Sequence, residues 1–359
     1  MKKISIDLIG TYPPPIGGTS IHIQRLLREN RKQGIECVEY DTRANEEGKN
    51  LKNKFVVPIY NYKKFMFKYL FNKRAQIIHS HSHSWIERMI LTIKAKLCKQ
   101  KVVFTFHSFR DDINKLNWKQ KIAYKYVLKN SDKFIATSLD IKRKLIEWGC
   151  NEEKINVISP FIVPNEIDKI EDTSDIKKFT SKFDYIVTAN ASNNNHYNGS
   201  DLYGMDMCIE LIKYIKKYYN VGFIYVLTKT TDKQYLNMLK KRIKEYDIQN
   251  QFMLIEGSVD FISLLKMTTI FIRPTNTDSW PMSISESLVI GVPCIASNVC
   301  EREKGTILFQ NRNQGELNLK VKECIENIDF EKEKVQKLQI KDHYNEIYET
   351  YVKLINKEV

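Results

Sequence analysis

Short apolar runs alternate along the chain with longer stretches whose apolar residues recur every three or four positions. Residues 4–9, 76–79, 102–106, 133–137 and 155–158 read as buried strands, and 19–32, 84–99, 118–129 and 139–148 between them have helical spacing. Runs that are apolar throughout suit strands covered on both faces, so strand–helix alternation predicts a parallel, doubly wound sheet. The pattern restarts at 185–189 and continues through 223–227, 251–254, 270–273 and 294–297. Residues 160–182 carry two prolines and a charged run, which marks a linker. Ile340, Tyr344, Ile347, Tyr348, Tyr351, Val352 and Ile355 form a helical stripe that must bury against something. The expected organisation is therefore α/β throughout. It has a first domain over 1–165, a linker over 166–182, a second domain over 183–328, and a C-terminal helical segment over 329–359 that packs back on the first. The two domains are expected to face each other across a cleft.

Composition supports packed interiors: 42% of the 359 residues are hydrophobic, with 19 Tyr and 17 Phe, which argues against disorder or a fibrous repeat. The formal charge of +14 is unevenly placed. Residues 1–165 hold 31 Lys and Arg against 15 Asp and Glu, while the remainder is close to neutral. Such a half is drawn to nucleic acid, anionic lipid or phosphorylated ligands. Seven cysteines without a CxxC pair point to a reducing, cytoplasmic setting. The opening Met1-Lys2-Lys3 runs at once into an apolar stretch broken by Asp7, too short for a signal peptide, and no run is long enough to span a bilayer.

Open α/β sheets bind ligands beyond the carboxyl ends of their strands, and three such ends stand out. After the first strand, residues 10–19 carry Gly17 and Gly18 just before a helix. Paired glycines there let amides approach an anion; a plain helix-entry turn is the other reading. The spacing is not GxGxxG, so a dinucleotide-dependent dehydrogenase loses its support. His107 follows the strand 102–106, either as a site residue or as a structural hydrogen-bonder. Asp278 and Glu286 lie eight residues apart, in a loop and in the first turns of a helix. That spacing lets one carboxylate meet a sugar while the helix N-terminus faces phosphate.

Asp278-x7-Glu286 followed by Gly291-Val292-Pro293-Cys294 resembles the Glu-x7-Glu mark of family 4 of the retaining, GT-B-type glycosyltransferases, with Asp in place of the first Glu. The Gly17-Gly18 loop, His107, and Ser138 through Leu145, Gly149 and Lys154 fall in that family's order, so the resemblance covers essentially the whole chain. It implies a GT-B fold of two Rossmann-like domains and a metal-independent hexosyl- or N-acetylhexosaminyltransferase without a cofactor. The donor would be a nucleotide-diphosphate sugar, with a UDP-sugar favoured. The acceptor would be a glycan hydroxyl, lipid-linked, in bacterial cell-surface polysaccharide synthesis. By the same resemblance Glu286 would bind ribose, Asp278 the donor sugar, and His107 would lie beside that sugar. The amides around Trp280, Met282, Ser283 and Ile284, with Gly17 and Gly18, would face the diphosphate. Two departures stand out. The family's Arg and Lys that clamp the diphosphate are missing, Tyr203 standing at the lysine's place, and no Pro-Asn-Gly closes the first domain. Lys229 and Arg273, each at a strand's carboxyl end, are the expected substitutes.

His79, His81 and His83 alternate along one extended segment, but nothing near in sequence completes a metal site and no Asp-x-Asp follows a strand, so no metal is expected. Residues 60–74 combine Lys63, Lys64, Lys68, Lys73 and Arg74 with six aromatics and no acid. This reads either as an interfacial helix on an anionic membrane or as an ordinary surface helix with a buried aromatic face; the charge asymmetry favours the membrane. The protein is thus expected to be peripheral on the inner face of the plasma membrane. A nucleic-acid-binding protein finds no recognition motif here, so no nucleic acid is expected as a partner. A nucleotide-sugar epimerase would need an acid–base pair and has no reason to meet a membrane.

Overall fold

Strand β1 (Ser5–Gly10) alternates its side chains between two interiors, Ile6 and Leu8 to one and Ile9 to the other. The same division recurs along β2 (Glu36–Asp41), β4 (Ile77–Ser80), β5 (Lys101–Phe106) and β6 (Lys133–Ala136), while the edge strands β3 (Val56–Pro58) and β7 (Ile155–Val157) give Val56 to one interior and Ile155 to the other. This is why β5 and β6 are apolar at most positions. The computed structural model describes residues 4–45, 53–71, 74–109, 111–165 and 174–356, and the chain divides into two units, Met1–Ile162 with Asp342–Val359, and Val163–Lys341.

In the first unit the strands pair in parallel in the order β3-β2-β1-β4-β5-β6-β7. Helices α2 (Tyr62–Leu70), α3 (Trp85–Leu97), α4 (Trp118–Asn130) and α5 (Leu139–Glu147) cover one face with Met66, Trp85, Leu91, Val127 and Leu145. Helix α1 (Gly18–Lys32) covers the other with Leu26 and Leu27. Each of α2 to α5 begins at a side-chain cap, Asn61, Ser84, Asn117 or Ser138, that accepts a first-turn amide. The order reverses between β1 and β4, so the loops after these two strands diverge and leave a crevice there.

The stretch expected as linker contains α6 (Ser174–Thr180); residues 166–173 lie outside the described ones. The second unit continues with β8 (Tyr185–Ala191), β9 (His196–Tyr197), β10 (Ser200–Asp201), α7 (Met205–Ile215), β11 (Val221–Leu227), α8 (Lys233–Glu245), β12 (Phe252–Glu256) and α9 (Phe261–Leu265). It closes with β13 (Ile270–Arg273), α10 (Met282–Ile290), β14 (Cys294–Ser297), β15 (Ile307–Phe309), α11 (Gln314–Glu326) and α12 (Ile328–Gln336). Six strands pair in parallel as β12-β11-β8-β13-β14-β15, with the order reversing between β8 and β13. Phe223 and Tyr225 face one core and Ile224 and Val226 the other, as in the first unit. The short β9–β10 ribbon turns through Asn198 and Gly199, both at positive φ, as a tight hairpin demands.

Helix α13 (Tyr344–Asn356) belongs to the first unit, where Tyr344, Ile347, Tyr351 and Leu354 join the core of Ile6, Leu8 and Leu26. Helix α12 does not: it lies in the second unit, its Val335 packing with Leu288 and Val292.

Candidate active site

In the first unit, Gly17 and Gly18 stand at the start of α1, on the loop leaving β1. Gly17 has an extended backbone (φ −168°), which any residue adopts, and a Cβ on either glycine would meet nothing within 4 Å. Neither local strain nor packing therefore calls for glycine. What their bareness leaves is open space over the first amides of α1, and Gly17 has no side chain to cap them. Ser20 Oγ instead accepts the Gly17 amide at 3.0 Å and donates to the Pro15 carbonyl at 2.7 Å. A helix start left bare beside a sheet's switch point suits an anion.

His107 follows β5 and is half-buried, its Nε2 2.9 Å from Nδ1 of His81. His22 from α1 completes a triangle of rings, with centroids 5.0 Å from His107 and 5.4 Å from His81. His79 is occupied on both nitrogens, by Tyr351 Oη at 2.6 Å and Thr105 Oγ1 at 2.7 Å, and His83 is exposed. Burial pushes His22 down to about 4 and His79 to about 3, and holds His81 and His107 well below the usual imidazole range, with neighbouring imidazoles adding to the shift. His107 is thus a neutral ring that can exchange a hydrogen bond with a hydroxyl.

In the second unit, the switch point between β8 and β13 is filled by a charge network. Arg273, last in β13, donates from Nε to Asp278 Oδ2 at 3.0 Å, and from Nη1 to the Asn190 carbonyl and Oδ1 at 3.1 and 2.9 Å. Arg302, just past β14, reaches the same Asp278 oxygen at 3.2 Å, and also Thr275 Oγ1 and Ser297 Oγ, each at 3.2 Å. Burial raises the Asp278 carboxyl, but the two guanidiniums outweigh it and hold the group below its ordinary value. Asp278 Oδ1 accepts only the Ser279 amide, at 3.2 Å, among the bonds described.

Arg273 is therefore a buried brace with most of its donors spent inside the protein. Its guanidinium carbon lies 5.1 Å from the ring centre of Tyr203, whose hydroxyl meets Ser192 Oγ at 2.5 Å. Lys229, two residues beyond β11, is exposed. Gly204 follows Tyr203 at φ +73°, and a Cβ there would run into the Pro274 carbonyl oxygen, so only glycine fits. Asp201 accepts the amides of Tyr203, Gly204 and Met205 at 2.9, 3.0 and 3.1 Å, which fills the start of α7 with the protein's own carboxylate. The start of α10 has no such plug. Pro281 precedes it without a side-chain cap, leaving the amides of Met282 and Ser283 at the end of the loop that carries Asp278 and half-buried Trp280, while Ile284 donates to the Pro281 carbonyl at 3.1 Å. Glu286, one turn in, is 6% exposed.

Strand-end reasoning missed Arg302, Asn190 and His22, and reached His81 only as one of the alternating histidines at 79–83. Arg302 also follows a strand, so the same rule reaches it.

The family model for Glycosyltransferase Family 4 matches residues 16–166, and that for Glycosyl transferases group 1 matches 200–341. An uncharacterized glycosyltransferase of Methanocaldococcus jannaschii is 23% identical over 346 residues, covering 89% of this chain and 88% of that one. The chain is a family 4 glycosyltransferase of GT-B fold.

Solved structures share that fold with this glycosyltransferase across nearly its full length. Anabaena HepE in complex with UDP superposes with a TM-score of 0.72 at 14% identity, covering 98% of this chain and 100% of that one. A glycosyltransferase of Rickettsia africae gives 0.73 at 18% identity, over 99% of each chain. Sucrose-phosphate synthase of Thermosynechococcus elongatus gives 0.74 at 13%, over 99% of this chain and 100% of that one.

Within the basic segment 60–74 of the glycosyltransferase, α2 (Tyr62–Leu70) buries Met66 and Tyr69 and exposes Lys63, Lys64, Lys68 and Phe67 (69%), and Phe71 just after it is also exposed (78%). Arg74 is also exposed; Lys73 lies outside the described residues. Among the described residues no helix is long and apolar enough to cross a membrane.

Proposed function

We propose that this glycosyltransferase moves a sugar from a UDP-sugar to a hydroxyl of a lipid-linked glycan, with retention at the anomeric carbon. One observation carries the reading. The start of α10, at the end of the loop leaving the second unit's switch point, is bare of any side-chain cap, while the start of α7 is filled by Asp201. A leaving diphosphate needs positioned donors, and these amides with the helix dipole supply them. Glu286 takes the ribose hydroxyls, Asp278 turns Oδ1 towards the donor sugar, and Lys229 supplies the mobile positive charge that the family's missing lysine would have given. In the first unit the open start of α1 at Gly18 is left for an anion, the Gly17 amide being held by Ser20 Oγ, and neutral His107 is placed to hydrogen-bond a sugar hydroxyl. The outer face of α2 rests on anionic lipid, which brings the enzyme to its acceptor at the inner face of the plasma membrane.

The test is a thermal-shift panel of nucleoside diphosphates, followed by NMR of the product's anomeric proton. UDP at a hundredfold over its Kd should stabilise by about 2.7 kcal/mol, equally with and without EDTA. A panel in which no nucleoside diphosphate shifts the transition, or an inverted product, sinks the reading.

A further inference from the structure

We propose that His22, His81 and His107 form a binding site for a divalent transition-metal ion of the zinc class, one imidazole nitrogen from each ring serving as ligand. The three come from α1, from the residue after β4 and from the residue after β5, and one nitrogen of each lies within 4.8 Å of the other two.

His22 is set as a ligand would be. Its Nδ1 lies 2.7 Å from the Pro160 carbonyl, which can only accept, so Nδ1 carries the proton and Nε2 presents a bare lone pair. That Nε2 is buried and has no hydrogen-bond partner. An imidazole whose far nitrogen is pinned by a backbone carbonyl is the usual outer arrangement of a metal-bound histidine. His81 repeats the feature: one nitrogen shares a proton with His107, and the other, Nε2, is buried without a partner. Two buried unpaired nitrogens in one cluster are costly unless something occupies the space.

Ligand type narrows the ion. Three imidazoles suit zinc, copper, nickel or cobalt rather than magnesium or calcium. Zn–N bonds of about 2.0–2.1 Å in a tetrahedron separate ligand nitrogens by roughly 3.3 Å, so the three ligand nitrogens, within 4.8 Å of one another, must draw closer on binding. Alternation along one strand hid the site, since the segment 79–83 contributes only His81. A bound ion would also withdraw His107 from the donor sugar; that consequence alone rests on the function proposed above.

The full chain, untagged and stripped with chelator, is titrated with Co2+ while the visible d–d bands are followed, and then with Zn2+ in competition. One ion per chain with intense tetrahedral bands is expected. His81→Gln and His107→Gln should each weaken binding at least a hundredfold with unchanged circular dichroism, and exposed His83→Gln should not change it. Less than one ion per chain at ten-micromolar metal, or affinity that survives both substitutions, overturns the proposal. If either variant misfolds, the imidazole 15N shifts of the wild-type chain on adding Zn2+ decide: His22, His81 and His107 must move together. UDP binding is followed in the same samples, so absent metal binding with intact UDP binding counts against the ion alone.

Discussion

At the scale of single residues, Arg273 and Lys229 exchange the parts that strand-end position alone assigns them equally. Arg273 is locked between Asp278 and Asn190, and removing it leaves a buried carboxylate with one guanidinium fewer. Breaking such a pair typically costs about 3–5 kcal/mol, so Arg273→Ala should lower the melting temperature sharply before any kinetic effect is read. Exposed Lys229 has no comparable ties. Lys229→Ala should leave the melting temperature unchanged yet cut turnover by roughly a hundredfold, as loss of one transition-state donor does. Steady-state kinetics beside a melting curve separates the two; a Lys229→Ala enzyme with normal turnover removes that residue from the diphosphate. Glu286→Gln keeps the shape of the side chain but exchanges a charged acceptor for a neutral one, a difference of about 1.5–3 kcal/mol per bond. UDP affinity measured by calorimetry should fall at least tenfold while the fold holds.

At the scale of elements, legibility followed burial. Strands β13 and β14 could be read to the residue, because a strand covered on both faces is apolar throughout. Strand β2 escaped because Glu36, Glu39 and Asp41 break its run, and the sequence does not reveal that Asp41 is buried accepting the Tyr12 and Arg43 amides. Strand β3, three residues long, is too short to show a period. In the site, strand ends pointed to Gly17, His107, Arg273 and Asp278, but not to their partners. Arg302 is 24 residues from Asp278 and Asn190 is 83 from Arg273, and only strand order brings them together. Helix α2 carries its own expectation. Its three exposed lysines lie beside exposed Phe67 and Phe71, and each cation near an anionic surface contributes about 1 kcal/mol. Replacing Lys63, Lys64 and Lys68 together by alanine should weaken sedimentation with anionic vesicles by about a hundredfold and leave neutral vesicles and the melting temperature unaffected. Equal binding by the triple variant would return α2 to an ordinary surface helix.

At the scale of the whole molecule, the histidines divide unevenly between the two units, and this sets how acid should unfold the protein. His22, His79, His81 and His107 are all in the first unit, neutral and depressed by burial, whereas the second unit has His196 alone, which is exposed. In the unfolded chain each imidazole regains a value near 6.5. Between 6.5 and about 4 for His22, or about 3 for His79, the unfolded chain binds a proton that the folded unit refuses. Stability is therefore complete above pH 6.5 and falls as the pH drops, by about 1.4 kcal/mol per unit for each such histidine. At pH 5 those two rings alone remove about 4 kcal/mol. Asp7, whose carboxyl is raised by burial, works in the opposite sense in the same unit, but it is one group against four. Multidomain chains need not melt in one step. Scanning calorimetry at pH 7 and pH 5 should show the first unit's transition moving down by several degrees while the second unit's moves far less. UDP identifies the latter, because most of the proposed nucleotide site lies in that unit and its transition should rise the more. If both transitions shift by the same amount, the imidazoles are not held neutral in the folded chain, and the description of His107 as an uncharged partner of the sugar fails with them.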